Sequence, residues 1–172
     1  MPCPERANAT EFVIVVRYAD GPTVSVEAVI DAPVAEVWAL VSDISLPARF
    51  SAELQGAEWI EEGVRFRGRN RHDAIGEWAT ECVVTELLPE RAFAYVVGDP
   101  AFPSASWRWD VEPVDGGRTL VRQSVRIGPA PSGLSPAIDA MPDKEERIIA
   151  RRLEEHRANM QANLDGIKGL LE

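Results

Sequence analysis

The chain has 172 residues, of which 45% are hydrophobic and 27% charged, as is typical of one globular domain with a buried core. Its formal net charge of -10 disfavours nucleic acid and anionic membrane surfaces as partners, because both would repel it. No apolar run is long enough to span a membrane and no secretory signal is evident, so we expect a cytoplasmic protein without integral membrane contact.

The first 22 residues are predicted to form an N-terminal extension, and residues 23–172 the domain proper. Residues 1–10 are polar and contain prolines, a composition typical of disorder. Residues 11–18 have strand composition and end at the turn signal Asp20-Gly21-Pro22. They form either an extra edge strand or part of the extension, and the sequence does not decide between the two.

A first strand and two short helices are predicted next. Residues 24–30 alternate between apolar and polar side chains, as a strand with one buried face requires. Asp31-Ala32-Pro33 then opens a helix, because proline in the first turn loses no hydrogen bond. The buried stripe of this helix is predicted to consist of Val34, Val37, Trp38 and Val41. A second short helix is predicted around residues 45–51.

Six further strands are predicted in quick succession, at residues 54–60, 64–72, 77–87, 92–97, 105–112 and 118–127. Their connections are short and rich in turn-forming residues, as in Asp115-Gly116-Gly117. Short links are typical of an antiparallel meander, because parallel strands require long crossovers.

The third and fourth strands have two chemically different faces. If their turn centres on residues 73–75, Arg71 faces Glu77 and Arg67 faces Glu81 on the outer surface. The four alternating arginines of the third strand then form a charge-paired, solvated surface and not a nucleic-acid stripe. They are Arg65, Arg67, Arg69 and Arg71. The inner face carries Phe66, Gly68, Asn70, Trp78, Thr80, Cys82 and Val84. Small and polar groups on an otherwise apolar face predict a lined pocket instead of a solid core.

A long helix is predicted at the C-terminal end. Residues 128–142, rich in Pro, Gly and Ser, are predicted to form a loop that leads into this helix at residues 143–171. At about 100° per residue, its apolar residues fall on one stripe that faces the sheet. They are Ile149, Leu153, Met160, Leu164, Ile167 and Leu171. A curved antiparallel sheet of about seven strands wrapped around one long helix is an α+β architecture.

The order of these elements resembles the SRPBCC superfamily, also called START-like or birch-allergen-like, which has the helix-grip fold. The stretches that match its polyketide cyclase/dehydrase branch are Ile30-Asp31-Ala32-Pro33, Glu36-Val37-Trp38, Val41-Ser42-Asp43, 66–71, 78–84, 91–97, Trp107-Arg108-Trp109 and Glu112-Pro113. The resemblance covers about residues 23–172. It implies a cavity between the sheet and the C-terminal helix that holds hydrophobic small molecules such as polyketides, lipids, isoprenoids or sterols.

His156 is the residue most suggestive of chemistry. It interrupts the apolar stripe of the C-terminal helix, between Leu153 and Met160, where an aliphatic side chain is usual. Either it hydrogen-bonds or exchanges protons with a ligand, or it is a partly buried histidine bonded to a backbone carbonyl. Tyr95 is the second catalytic candidate, since its hydroxyl is a polar tip on an apolar strand face.

The residues predicted to bind the ligand are Phe50, Phe66, Asn70, Trp78, Tyr95, Trp107, Trp109, Gln123, His156 and Met160. The aromatic side chains supply flat apolar area, whereas polar tips such as those of Asn70 and Gln123 fix the orientation of the ligand. Asn70 either binds the ligand or ties two strands together. His72 continues the inward alternation but lies at the hairpin tip, so its place in the pocket is left open.

The chain offers little for a metal or a cofactor, and neither is expected. The two cysteines, Cys3 and Cys82, predict neither a disulfide framework nor a metal cluster. The two histidines are far apart and have no cysteine or carboxylate at ligand spacing. No nucleophile motif or phosphate-binding glycine loop is present in the sequence.

The sequence therefore favours a protein, monomeric or homodimeric, that binds a polyketide-, lipid- or isoprenoid-like molecule. One alternative is an aromatase/cyclase or dehydratase in which His156 or Tyr95 moves protons. Such enzymes are often associated with an arginine inside the cavity. The arginines here are predicted mostly on outer faces, with Arg49 and Arg108 undecided. The other alternative is a protein-interaction module, which would expose a large apolar patch.

Overall fold

The computed structural model describes residues 16–172. The predictions for residues 1–10, and for most of the strand-like residues 11–18, lie outside the described residues and stay predictions. Tyr18–Asp20 forms one 3-10 turn before the sheet begins.

The sheet contains β1 (Thr23–Ile30), β2 (Leu54–Glu61), β3 (Arg65–His72), β4 (Gly76–Leu88), β5 (Ala92–Asp99), β6 (Phe102–Val114) and β7 (Arg118–Ile127). The helices are α1 (Val34–Val41), α2 (Pro47–Phe50), α3 (Ser135–Ala140) and α4 (Glu145–Leu171). The strands are antiparallel in the order β1-β7-β6-β5-β4-β3-β2. The predicted helix-grip α+β fold, with two short helices after the first strand, is confirmed.

The predicted register of the β3–β4 hairpin is also confirmed. Arg67 faces Glu81 and Asn70 faces Trp78, as the alternation required. Arg67 and Glu81 form an ion pair at 3.2 Å on the outer surface. The same register turns Phe66 inward, where only 4% of its surface is exposed.

The segment predicted as a loop before the last helix contains helical structure. Residues 128–142 include α3, and Pro142–Lys144 form a 3-10 turn immediately before α4. Two of the four prolines that suggested a loop, Pro136 and Pro142, lie in the first turn of α3 and of this 3-10 turn, respectively. A missing N–H costs no hydrogen bond there, so these prolines begin helical turns instead of preventing them.

The packed core fills one end of the inner face of the sheet. The side chains buried there are mainly aliphatic, and they include Ile30, Val37, Val41, Phe93, Val121, Leu164 and Ile167. From α4, only residues from Met160 onward belong to this core. The N-terminal half of α4 therefore covers a different part of the sheet, and the candidate site lies beneath it.

A glycine determines how α2 packs on α4. The Phe50 ring lies so close to Gly166 that a Cβ added at this glycine would overlap the ring. The guanidinium of Arg49 also lies over the Phe50 ring, 5.3 Å from the ring centroid. Phe50 thus joins two helices.

Candidate functional site

A cavity of about 470 Å³ lies between α4 and the inner face of the sheet. Strands β3 to β7 form its floor, α4 covers it, and residues 132–134 and the beginning of β2 complete the wall. The volume is within the range of small-molecule pockets in proteins. The space exists because several floor residues are small, among them Gly68, Thr80 and Ala105.

The cavity brings together eight of the ten side chains that the sequence suggested. They are Phe66, Asn70, Trp78, Tyr95, Trp107, Gln123, His156 and Met160. They come from five strands and α4, so no local stretch of sequence contains the site. The strand alternation placed them on the same face.

Phe50 and Trp109 do not line the cavity, and these two predictions are corrected. Phe50 is occupied by its contact with Gly166 of α4. Trp109 does face inward, but it is 2% exposed within the packed core. It pairs with Phe93 on β5, whereas Trp107 pairs with Tyr95 and reaches the hollow end of the face.

His156 is buried and uncharged. Its ring packs edge-on against Trp107, with 5.1 Å between the ring centroids. Burial, reinforced by the nearby charge of Arg152, lowers the pKa of His156 from 6.5 to about 3. Within residues 16–172 its ring nitrogens form no hydrogen bond to a backbone carbonyl. The alternative of a histidine held by such a bond is therefore not supported.

Tyr95 belongs to an aromatic cluster in the cavity wall. Its ring centroid lies 4.9 Å from that of Phe66 and 5.5 Å from that of Phe93. Burial, and then the proximity of Cys82, raises the pKa of the Tyr95 hydroxyl well above its ordinary value. Burial likewise raises the pKa of the Cys82 thiol to about 11. Both groups are therefore neutral at physiological pH.

Of the two roles that the sequence left open for Asn70, the structure shows the tie between strands, and ligand binding stays a prediction. Asn70 lines the cavity, and its Nδ2 donates a long hydrogen bond of 3.4 Å to Oγ1 of Thr80 on the neighbouring strand. The side chain thus ties β3 to β4 while remaining on the cavity surface.

An ionic cluster of Glu53, His72, Arg152 and Glu155 lies at one end of the cavity, and two of its members, Glu53 and Arg152, line the cavity. Arg152 Nη1 donates to Glu53 at 2.8 Å and to Glu155 at 3.0 Å. Burial alone would lower the pKa of the Arg152 guanidinium, but its hydrogen bonds with Glu53 and Glu155 raise the pKa overall. His72 does not line the cavity; its Nε2 lies 3.1 Å from Glu155 Oε2.

The opposite end of the cavity carries an amide pair, Gln123 and Asn163. Asn163 Nδ2 donates to Gln123 Oε1 at 3.0 Å, and both residues are 2% exposed. Asn163 Oδ1 has no hydrogen-bond partner in the part of the chain that the structure describes. Most buried polar atoms are paired, so this oxygen is an exception that calls for an explanation.

The sequence analysis identified His156 but missed the polar stripe on α4 to which it belongs. Arg152, His156, Asn159 and Asn163 all line the cavity. Their spacings of four, three and four residues place them within about 60° of one another around the helix. The sequence feature that indicates this stripe is the helical spacing of its polar residues, whereas the prediction of the helix used the spacing of apolar residues alone.

The undecided arginines do not enter the cavity. Arg108 lies on the outer face, where its Nε donates to Asp110 at 2.9 Å and its Nη1 pairs with Glu86. Arg152 does line the cavity, and the prediction that the arginines lie mostly on outer faces, with Arg49 and Arg108 undecided, missed this residue.

Neither a metal centre nor a membrane-spanning helix is found in the described part of the chain, residues 16–172. No group of three or more His, Cys, Asp or Glu side chains there is placed to hold a metal ion. No helix in the same range is long and apolar enough to cross a membrane.

Comparison with known proteins gives matches to a family model and to solved structures. A family model described as "Polyketide cyclase / dehydrase and lipid transport" matches residues 21–172. None of the curated proteins compared with the chain matches it in sequence.

Several solved structures share the fold. A polyketide cyclase-like protein from Corynebacterium glutamicum is 29% identical, with a TM-score of 0.60 over 87% of this chain and 90% of that protein. The Zhui aromatase/cyclase from Streptomyces sp. R1128 is 21% identical, with a TM-score of 0.61 over 86% of this chain and 93% of that protein. A START superfamily protein from Mycobacterium smegmatis is 14% identical, with a TM-score of 0.56 over 87% and 96%.

Proposed function

Since the chain belongs to the polyketide cyclase / dehydrase and lipid transport family, we propose that it binds a mainly apolar, ring-bearing small molecule beneath α4. The observation that carries this proposal is the cavity of about 470 Å³. Burial of a ligand there gains roughly 25 cal/mol per Å² of apolar surface removed from water.

The wall of the cavity suits a ligand with rings. Trp78, Tyr95 and Trp107 provide flat aromatic surfaces, and other apolar side chains such as Met160 of α4 complete the wall. Polar side chains lie among these apolar groups, both on α4 and on the sheet, where Asn70 and Thr80 are examples. This distribution of a largely apolar wall with a few polar groups is typical of small-molecule sites.

A catalytic role in aromatase/cyclase chemistry is less well supported than binding. Solved aromatase/cyclases share the fold, but at 21% identity they support the fold alone. A general acid or base works best when its pKa lies near the working pH. His156, with a pKa of about 3, and Tyr95, with a raised pKa, are both far from that condition. We therefore assign them to orienting the ligand.

The protein-interaction alternative has no comparable support. Large apolar side chains such as Val64, Leu87 and Phe102 are exposed, but no feature of the described residues indicates what would cover them.

Filling the cavity should weaken ligand binding strongly. We expect Ala105→Phe to weaken binding of the neutral fluorophore N-phenyl-1-naphthylamine at least tenfold, because Ala105 lines the cavity and the new ring would occupy it. Ala79→Phe is the matched control, since Ala79 is exposed on the outer face of β4. Fluorescence titration measures both, and thermal unfolding verifies that each variant folds. Equal loss in the two variants, or no loss in Ala105→Phe, would refute a site beneath α4.

A further inference from the structure

The cavity reaches solvent between two residues. Of the described residues that line it, only Ile75 and Gly133 are exposed. Ile75 lies at the tip of the β3–β4 hairpin, and Gly133 lies in the segment before α3. The Ile75 Cδ1 atom is 3.9 Å from the position that a Cβ on Gly133 would occupy, so the two residues face each other closely across this opening. A ligand that passes between them must move the Ile75 side chain.

The tip of the hairpin is held by His72. The Ala74 N–H donates to His72 Nδ1 at 3.1 Å, and the Ile75 N–H donates to the backbone oxygen of His72, also at 3.1 Å. On the other side of the ring, Nε2 lies 3.1 Å from Oε2 of Glu155 on α4. One side chain therefore both closes the turn that carries Ile75 and attaches the hairpin to α4.

These contacts define where the neutral ring of His72 carries its proton. Because Nδ1 accepts from a backbone N–H, the proton is on Nε2 and is donated to Glu155. Both ring nitrogens are satisfied in this one tautomer. A second proton would go to Nδ1, which would then face the Ala74 N–H as one donor against another. The bond to Ala74 is lost in that state, whereas the bond to Glu155 becomes an ion pair and is kept.

The charged groups around the His72 ring come from α4, from the segment before β2 and from the hairpin itself. They are Glu155, Arg152, Arg151, Glu53 and Asp73. Burial alone would raise the pKa of Glu155, but its hydrogen bonds with Arg152 and His72 lower the pKa overall, so this carboxylate keeps its charge in mild acid. Histidine is the side chain that ordinarily changes charge between pH 5 and pH 8. The His72 side chain is 21% exposed, so a proton from solvent reaches it.

Resting on the proposed function, we propose that His72 makes ligand exchange depend on pH: the neutral ring holds the hairpin tip closed over the cavity, and the protonated ring releases it. As the pH falls, the turn loses one of its two bonds to His72, and Ile75 moves away from Gly133 more readily. Exchange therefore becomes faster in mild acid and slower near neutral pH. The equilibrium affinity changes little, because a ligand enters and leaves through the same opening.

Stopped-flow fluorescence with N-phenyl-1-naphthylamine measures this effect, because the probe is uncharged at both pH 5.5 and pH 7.5. Mixing the probe with excess protein gives the association and dissociation rate constants. For the wild-type chain we expect both to be about fivefold higher at pH 5.5 than at pH 7.5, which is about the factor that one neutral hydrogen bond contributes. The dissociation constant of the probe should stay nearly the same.

Two substitutions of His72 separate its roles, and neither removes a residue that lines the cavity. Asparagine keeps a side-chain acceptor for the N–H two residues further on but cannot be protonated, so in His72→Asn the probe should exchange slowly at both pH values. Leucine offers no acceptor, so in His72→Leu the probe should exchange quickly at both. His156, with a pKa of about 3, is neutral at both pH values and is present in all three proteins. Other effects of acid therefore cancel in the comparison, and thermal unfolding verifies that each variant folds.

The outcomes distinguish this inference from the proposed function. If the probe binds but its exchange with the wild type does not depend on pH, or if His72→Asn shows the same dependence as the wild type, His72 is not the pH-sensitive group and the inference is wrong. Slow exchange in His72→Leu would show that the bond to Ala74 does not control the opening, which also overturns it. These results leave ligand binding in place. If the probe binds at neither pH, the proposed function fails, and this inference fails with it.

Discussion

Replacing Arg152 with methionine should lower the free energy of unfolding by about 3 kcal/mol, because two carboxylates would lose their buried partner. The side chains of Arg152 and Glu53 are only 12% and 14% exposed, so little solvent screens their interaction. The expected loss is at the lower end of the range for buried pairs since some exposure remains. Urea unfolding at pH 7.5 measures it.

A surface ion pair on the same helix provides the control. Arg157 pairs with Glu154 at 2.6 Å, but the two side chains are 46% and 63% exposed. Arg157→Met should therefore cost no more than about 1 kcal/mol. A double variant, Glu53→Gln/Arg152→Met, should recover part of the loss because it removes one of the unpaired charges. Equal costs for Arg152→Met and Arg157→Met would show that the ionic cluster at the cavity is not held as described.

Acid should destabilise the protein through His156, and removal of this side chain should reduce that effect. The pKa of His156 is lowered from 6.5 to about 3 in the folded state. Between these two pH values the unfolded chain binds a proton that the folded chain excludes. The free energy of unfolding is therefore not reduced by His156 well above pH 6.5. It falls as the pH decreases below 6.5, by up to about 1.4 kcal/mol per pH unit.

The comparison of wild type with His156→Leu isolates this contribution. Between pH 6.5 and pH 5, the wild type should lose about 2 kcal/mol more than the variant, since leucine has no proton to bind. Carboxylates such as Glu155 titrate in both proteins, so they cancel in the difference. Urea unfolding at a series of pH values gives the curves. Parallel curves for the two proteins would mean that His156 is not buried in its neutral form.

Strand alternation predicted most of the cavity because it is a local property of the sequence. In β3 and β4 the outward charges and inward small or aromatic residues determined one register, and Asn70 consequently faces Trp78. Alternation assigns a residue to a face but not to a position along it. Trp107 and Trp109 therefore looked equivalent, although the packed core covers only the second.

The remaining parts of the site depend on contacts between distant segments. Glu53 and Arg152 are 99 residues apart, and nothing in either local sequence indicates the other. Phe50 packs its ring against Gly166 of α4, a contact that the sequence around Phe50 does not indicate. The amide of Asn163 is also recognisable as part of the site only when Gln123 of β7 is placed against it.

The most direct test of binding beneath α4 is to locate N-phenyl-1-naphthylamine in its complex with the full chain, by intermolecular nuclear Overhauser effects. The cavity predicts effects between the probe and the side chains of Tyr95, Trp107 and Met160, and none to Ala79 on the outer face. Effects confined to exposed apolar residues such as Leu87 and Leu88, with none to the cavity wall, would contradict the account.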